Sequence, residues 1–133
     1  MIVVDTNVIA YLMLKGERTS QAEAVFKKDP DWIVPYLWRS EFRNILALHL
    51  RQGYITLTNA KLIVQEAESL MHNKECEVQS MKVLDLIESS KCSSYDCEFV
   101  VLAQQLGIPL VTSDKKLLTE FPSNAVSMDV FIS

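Results

Sequence analysis

The order of apolar and polar positions along the chain predicts short strands that alternate with helices. Apolar runs rich in β-branched residues predict strands at 2–4, 32–34, 75–78, 109–112 and 126–128. Apolar positions with a helical period predict helices at 7–14, 20–28, 37–51, 58–71, 81–89, 95–106 and 115–120, with Thr58 capping the fourth. This alternation favours an α/β fold with three layers, α/β/α, around a short central parallel sheet. From the length of 133 residues we expect a single domain that spans 1–133.

The composition is that of an ordinary globular protein with a mildly acidic surface. Hydrophobic residues make up 49% of the chain and charged residues 23%. The formal net charge of −4 gives no overall attraction to nucleic acid. A nucleic-acid partner would therefore need local cations on the surface or bound metal ions.

Cysteine usage and hydropathy predict a cytoplasmic protein that does not enter a membrane. Cys76, Cys92 and Cys97 show neither C-x-x-C spacing nor histidines at zinc-site spacing, so we expect reduced core residues. The N-terminus lacks the basic segment of a signal peptide, and no apolar run reaches transmembrane length.

Two acidic residues follow predicted strands of the sheet. Asp5 comes directly after the strand 2–4, and Asp114 comes two residues after the strand 109–112. Ligands of parallel α/β folds bind beyond the carboxyl ends of the strands, so we expect these two carboxylates at one edge. The alternative for Asp5 is a helix N-cap, because its side chain can accept from a free backbone N–H of the next helix.

Two further acids lie on helix faces that are otherwise apolar. Glu41 falls within the apolar arc of the helix 37–51, and Asp96 lies at the start of the apolar stripe of the helix 95–106. Glu98, by contrast, is predicted to face away from that stripe. The alternatives are a rim residue with a packed stem for Glu41 and a favourable charge at the helix N-terminus for Asp96.

These positions predict that Asp5, Glu41, Asp96 and Asp114 converge on one pocket. Clustered carboxylates repel one another, and one or more takes up a proton unless a cation neutralises them. Oxygen ligands without a nearby His or Cys suit Mg²⁺ or Mn²⁺ better than zinc or copper. The sequence therefore predicts a divalent-cation site at the carboxyl edge of the sheet.

Four short motifs carry these acids in order along nearly the whole chain. They are Val4-Asp5-Thr6-Asn7, Trp38-Arg39-Ser40-Glu41, Ser94-Tyr95-Asp96-Cys97-Glu98-Phe99 followed by Leu102-Ala103, and Leu110-Val111-Thr112-Ser113-Asp114. With them the chain resembles the PIN-domain ribonucleases, in particular the toxins of VapBC-type toxin–antitoxin pairs. The resemblance implies a PIN-like form of the predicted α/β/α fold.

The resemblance also implies a Mg²⁺- or Mn²⁺-dependent endoribonuclease. The four acids match the family's catalytic metal ligands. Asn7 and Thr112 match positions that orient them, with ordinary turn and cap hydrogen bonds as the alternative for these two. No histidine accompanies the acids for acid–base chemistry on the RNA 2′-hydroxyl, so metal-activated water attacking phosphorus is the expected reaction. The family implies products with 5′-phosphate and 3′-hydroxyl ends.

The partners that the resemblance implies are RNA, with transfer RNA as the expected class, a small antitoxin protein and a second copy of the chain. Candidates for holding the RNA backbone, with plain solvated charge as the alternative, are Arg39, Arg43, Lys115 and Lys116. Two other functions remain open. One is a free-standing PIN-domain nuclease that processes RNA, and the other is a PIN-like module that binds RNA or protein without cutting.

Overall fold

The computed structural model describes residues 1–133 and contains one sheet of five short strands. The strands are β1 (Ile2–Val4), β2 (Trp32–Pro35), β3 (Glu75–Cys76), β4 (Leu110–Val111) and β5 (Ala125–Val126). They lie in the order β3-β2-β1-β4-β5, and every neighbouring pair is parallel. The predicted α/β fold around a short central parallel sheet is confirmed.

Eight helices connect and follow the strands. They are α1 (Thr6–Met13), α2 (Thr19–Lys28), α3 (Trp38–Arg51), α4 (Leu57–Leu70), α5 (Ser80–Ser89), α6 (Ser94–Leu106), α7 (Lys115–Glu120) and α8 (Met128–Ile132). The longest of them have 14 residues. No helix combines the length and the apolar character that a membrane crossing requires.

The helices cover both faces of the sheet. Successive side chains of a strand point to opposite sides, so the apolar strands have two faces to bury. In β1, Ile2 and Val4 belong to a buried cluster that also contains side chains of α1, α2, α3, α4 and α8. Val3 belongs to a second buried cluster, built mainly from α6 with contributions from α5 and α7. The sheet and the helices that pack on each side of it through these two clusters are the three layers that the sequence predicts.

The strand order creates a switch point between β1 and β4. The chain builds the sheet outward through β2 and β3 on one side of β1, then returns to add β4 and β5 on the other side. Crevices at such a point, beyond the carboxyl ends of the strands, are where open α/β sheets bind ligands. Asp5 follows β1 and the segment 112–114 follows β4, so both border this crevice.

Three predictions differ from the structure by more than a residue. The predicted strand 75–78 is shorter in the structure, because β3 ends at Cys76. The predicted strand 126–128 is wrong, because the strand is Ala125–Val126 and Met128 begins α8, whose N-cap is Ser127. A five-residue helix is too short for its period to register in the sequence. The predicted cap Thr58 is also wrong: Thr56 caps α4 and accepts from the Asn59 N–H at 3.1 Å.

Candidate active site

Asp5 is a helix cap and a buried carboxylate at the same time. Its Oδ1 accepts from the Val8 N–H at 3.1 Å, which caps α1. Its Oδ2 accepts a hydrogen bond from the Thr112 hydroxyl. The residue is 6% exposed, far more buried than a cap at a surface helix needs to be. The cap therefore accounts for one carboxylate oxygen, and Thr112 holds the other.

Thr112 links the two acids that follow strands. Its side chain is fully buried and donates to Asp5, while its Oγ1 accepts from the Asp114 N–H at 3.0 Å. Asp114 in turn caps α7, with Oδ1 accepting from the Lys116 N–H at 2.8 Å. One hydroxyl therefore fixes the end of β1 relative to the start of α7.

Thr6 ties Glu41 to the same edge of the sheet. The Thr6 hydroxyl donates to Glu41 Oε1 at 2.7 Å, across 35 positions of sequence. Glu41 lies in the first turn of α3 and is half-buried. Because Thr6 directly follows Asp5, this hydrogen bond brings Glu41 to the edge of the sheet where β1 ends.

Asp96 completes the group from the other layer of helices. It lies in the first turn of α6, where its N–H donates to the N-cap Ser93 at 3.1 Å. Asp5, Glu41, Asp96 and Asp114 all line one cavity of about 440 Å³, which we call the acid cavity. Its other polar lining residues are Thr6, Asn7, Ser40, Asn44 and Tyr95, and no Lys, Arg or His is among them.

The electrostatics of the acid cavity disfavour several negative charges at once. Burial raises the pKa of Asp5 from 3.8 to about 6, with a smaller contribution from the charge of Asp114. Hydrogen bonds from Thr112 and from the N–H groups of Val8 and Ser113 oppose this rise. Burial outweighs these hydrogen bonds, so positive charge nearby would favour the ionised form of Asp5.

Glu41 and Asp96 are disfavoured as anions in the same way. Burial raises the pKa of Glu41, and the charges of Asp96 and Glu98 raise it further, against the hydrogen bond from Thr6. Burial also raises the pKa of Asp96, followed by the charge of Asp114, while Ser93 and Lys116 lower it. The acids therefore act on one another electrically as well as sharing a cavity.

The donor set of the acid cavity fits a hard divalent cation. Its charged side chains offer oxygen alone, and neither His nor Cys lines it. No three of the protein's Asp, Glu, His or Cys side chains lie close enough together to ligate one ion directly. An ion that keeps several waters and takes one or two carboxylates directly, as Mg²⁺ does, suits this spacing.

Arg39 does not line the acid cavity, and its guanidinium is engaged by two carboxylates. Its Nε and Nη2 donate to the Glu75 carboxylate at 2.6 and 2.8 Å, and Nη1 lies 3.6 Å from Glu68 Oε1. Trp38 Nε1 also donates to Glu75, at 2.8 Å. The guanidinium therefore joins α3 to β3 and α4. The sequence could not show this, because Glu75 follows 36 positions later.

The other three predicted cations and Asn7 differ in whether they interact with the acids or line the acid cavity. Lys116 lies near enough for its charge to lower the pKa of Asp96. Arg43 and Lys115 are exposed, form no ion pair and do not line the acid cavity. Asn7 is exposed at the acid cavity and makes no side-chain hydrogen bond to the acids, whereas Thr112 contacts Asp5 directly.

Sequence reasoning missed three residues of this region. Thr6 holds Glu41, and its place between Asp5 and Asn7 was the available signal. Glu98 was predicted to face away, but it is half-buried and its charge raises the pKa of Glu41. Tyr95 lines the acid cavity with 59% of its surface exposed, which the periodicity of α6 did not indicate.

The parallel α/β sheet with acidic side chains at its switch point defines the fold class. Comparison of the sequence with family models defines the family. The family model described as PIN domain matches residues 2–121, and the chain belongs to this family. Over 126 residues it is 29% identical to Ribonuclease VapC3 of Pyrobaculum aerophilum, covering 92% of this chain and 95% of that protein.

Solved structures share the fold over nearly the full length. PAE2754 from Pyrobaculum aerophilum superimposes with a TM-score of 0.78 at 20% identity, covering 98% of this chain and 92% of that one. A toxin–antitoxin complex from Klebsiella pneumoniae gives 0.70 at 14% identity, covering 96% and 98%. FitAcB from Neisseria gonorrhoeae gives 0.68 at 16% identity, covering 96% of each chain.

Proposed function

We propose that this protein is a Mg²⁺- or Mn²⁺-dependent endoribonuclease whose metal site is formed by Asp5, Glu41, Asp96 and Asp114, one or two of them binding the ion directly and the others through its waters. The observation that carries the proposal is the meeting of these side chains, from β1, α3, α6 and the start of α7, in one cavity without a cation. Membership of the PIN domain family and the similarity to a protein named as a ribonuclease support the nuclease class.

The residues of the acid cavity have separate parts in the proposed reaction. A divalent cation held there would lower the pKa of an attacking water and offset the charge that develops on the phosphate. Thr112 and the Val8 N–H hold both oxygens of Asp5, and Thr6 holds Glu41, so these carboxylates keep their places without a bound ion. Asn7 offers an amide at the cavity wall for a phosphate oxygen.

We further propose that the protein acts in the cytoplasm as the toxin of a type II pair, cutting RNA of the transfer RNA class until a small antitoxin binds it. The similarity to Ribonuclease VapC3 supports this role. So does the likeness in fold to a chain of a toxin–antitoxin complex.

A homodimer is part of the same proposal. Apolar side chains of α3 and α4 stay uncovered in the single chain. They are Leu48 with 51%, Leu57 with 59% and Leu62 with 59% of their surface exposed. A two-fold dimer that covers this face would bury them.

The nuclease is tested by the ends of its products. Purified protein with Mg²⁺ or Mn²⁺ should cut a transfer RNA stem-loop to 5′-phosphate and 3′-hydroxyl ends, and excess chelator should stop it. Cyclic phosphate ends would contradict attack by water. RNA binding without any cleavage would favour the non-catalytic module.

The toxin role is tested separately, by growth. Expression without a partner should slow a bacterial host, and Asp5→Asn should relieve this at equal protein level. A wild-type protein that cuts RNA but leaves growth unchanged would favour the free-standing RNA-processing nuclease. Equal toxicity of the Asn variant would contradict the nuclease account.

A further inference from the structure

A second cavity adjoins the acid cavity and carries positive charge. It also has a volume of about 440 Å³, and its lining includes Tyr11, Lys15, Arg18 and His49; we call it the basic groove. Asn7 and Ile45 line both cavities, so the two are neighbours. We propose that the basic groove binds the sugar–phosphate backbone of RNA beside the phosphodiester that is cut, an inference that rests on the proposed function.

The charges of the two cavities explain why such a groove is needed. The acid cavity has no lining cation, so the phosphates that flank the cut bond must find positive charge elsewhere. The basic groove has Lys15 and Arg18 against the single carboxylate of Glu17. The cavities that contain Arg39 and Lys27 each have two carboxylates against one cation. The positive charge therefore lies next to the acids, where a bound strand would continue.

Arg18 is held toward the acids without being neutralised. Its guanidinium carbon lies 5.4 Å from the centre of the Tyr11 ring, and Nη1 donates to the Tyr11 hydroxyl at 3.4 Å. That hydroxyl is 3.1 Å from Ser113 Oγ, the residue between Thr112 and Asp114. Arg18 forms no ion pair with a carboxylate. Its charge thus remains free for a phosphate, while Tyr11 connects it to the segment that carries Asp114.

Aromatic rings in and beside the groove favour RNA over an acidic protein partner. His49 Nδ1 donates to the Ile45 carbonyl at 2.9 Å, which leaves Nε2 for another partner. The His49 ring packs edge-to-face on Tyr54 at 5.8 Å, and Tyr54 is 70% exposed. Cations interleaved with exposed aromatic rings are what single-stranded RNA requires, because bases stack while phosphates pair with charge.

Binding to a labelled single-stranded RNA tests the groove independently of cleavage. The variants Lys15→Gln and Arg18→Gln are compared with Lys82→Gln, which removes the same charge from an exposed position of α5 that lines neither cavity. All carry Asp96→Asn and are measured by fluorescence anisotropy with chelator present. Each groove variant should bind about fivefold more weakly and lower the slope of log K against log salt by about 0.7, and the control should match its parent.

The outcomes separate this inference from the proposed nuclease. Groove variants that bind RNA as Lys82→Gln does would overturn the inference and leave the groove to a protein partner, even if the protein cuts RNA. Groove-dependent binding by a wild-type protein that cuts nothing would support the groove and overturn the nuclease. In an active enzyme, Arg18→Gln should raise KM for RNA about fivefold, and Lys82→Gln should leave it unchanged.

Discussion

Replacing Asp5 by Asn should stabilise the metal-free protein, although Asp5 caps a helix. Burial raises its pKa from 3.8 to about 6, which corresponds to roughly 3 kcal/mol against folding above pH 6. Asn can still accept from the Val8 N–H but loses a charged acceptor, at a cost of about 1 kcal/mol. The net gain is about 2 kcal/mol, or roughly 8 °C in Tm for a chain of this length.

The gain should depend on pH, and its sign follows from the direction of the pKa shift. A raised folded-state pKa means that the folded protein binds the Asp5 proton more tightly than the unfolded chain does. Wild-type stability from this group is therefore fully present below about pH 4 and is lost as the pH rises through about 6. The advantage of Asp5→Asn should be largest at pH 8 and should mostly disappear at pH 4.5.

Thermal unfolding with chelator at pH 8 and pH 4.5 measures both effects. Asp85→Asn, an exposed carboxylate of α5, is the matched control and should change Tm little. Mg²⁺ should then raise the Tm of the wild type and leave that of Asp5→Asn unchanged, because ligands stabilise the state that binds them. An Asn variant that melts lower than wild type at pH 8 would mean that Asp5 is a cap and that its buried charge costs little.

Three further predictions concern residues around the acid cavity. Arg39→Ala should lower the free energy of unfolding by about 1 kcal/mol, because Glu75 loses its partner, and should leave the cleavage rate unchanged. Slower cleavage at full stability would show instead that Arg39 contributes to the site. Thr6→Val should slow cleavage about tenfold by releasing Glu41, with Thr6→Ser close to wild type, and equal rates would refute this orienting role. Light scattering at micromolar concentration should give a dimer mass that Leu62→Lys reduces; a strict monomer would contradict the homodimer.

The main features of the fold were predictable because they depend on local patterns. The β-branched run before Asp5 and the helical period of α3 and α6 each follow from neighbouring residues. Placing Asp5 and Asp114 at one edge needed one rule more, that parallel strands end on the same side. The small helix α8 was not predictable in this way, since five residues do not complete a recognisable period.

The parts of the site that sequence could not predict are those that depend on distant partners. The sequence shows Arg39 two positions before Glu41 and gives it no partner, but in the structure its guanidinium donates to the carboxylate of Glu75 in β3. Glu98 looked external on its own helix, yet α3 packs close enough for its charge to reach Glu41. Lys15 and Arg18 of the basic groove lie in the connection between α1 and α2. A connection has no helical or strand period, so the sequence does not show which way its side chains point.

The central claim, that the four acids form one metal-dependent nuclease site, is tested most directly by Asp96→Asn. The measurement is the rate of Mg²⁺-dependent RNA cleavage, taken together with the metal-free Tm and with Asp85→Asn as the control. We expect Asp96→Asn to abolish cleavage while its Tm stays equal or rises, because the substitution removes a charge that burial disfavours and that Asp114 repels. A variant that melts lower and still cuts RNA would show that Asp96 is a helix-end charge and would contradict the four-acid site.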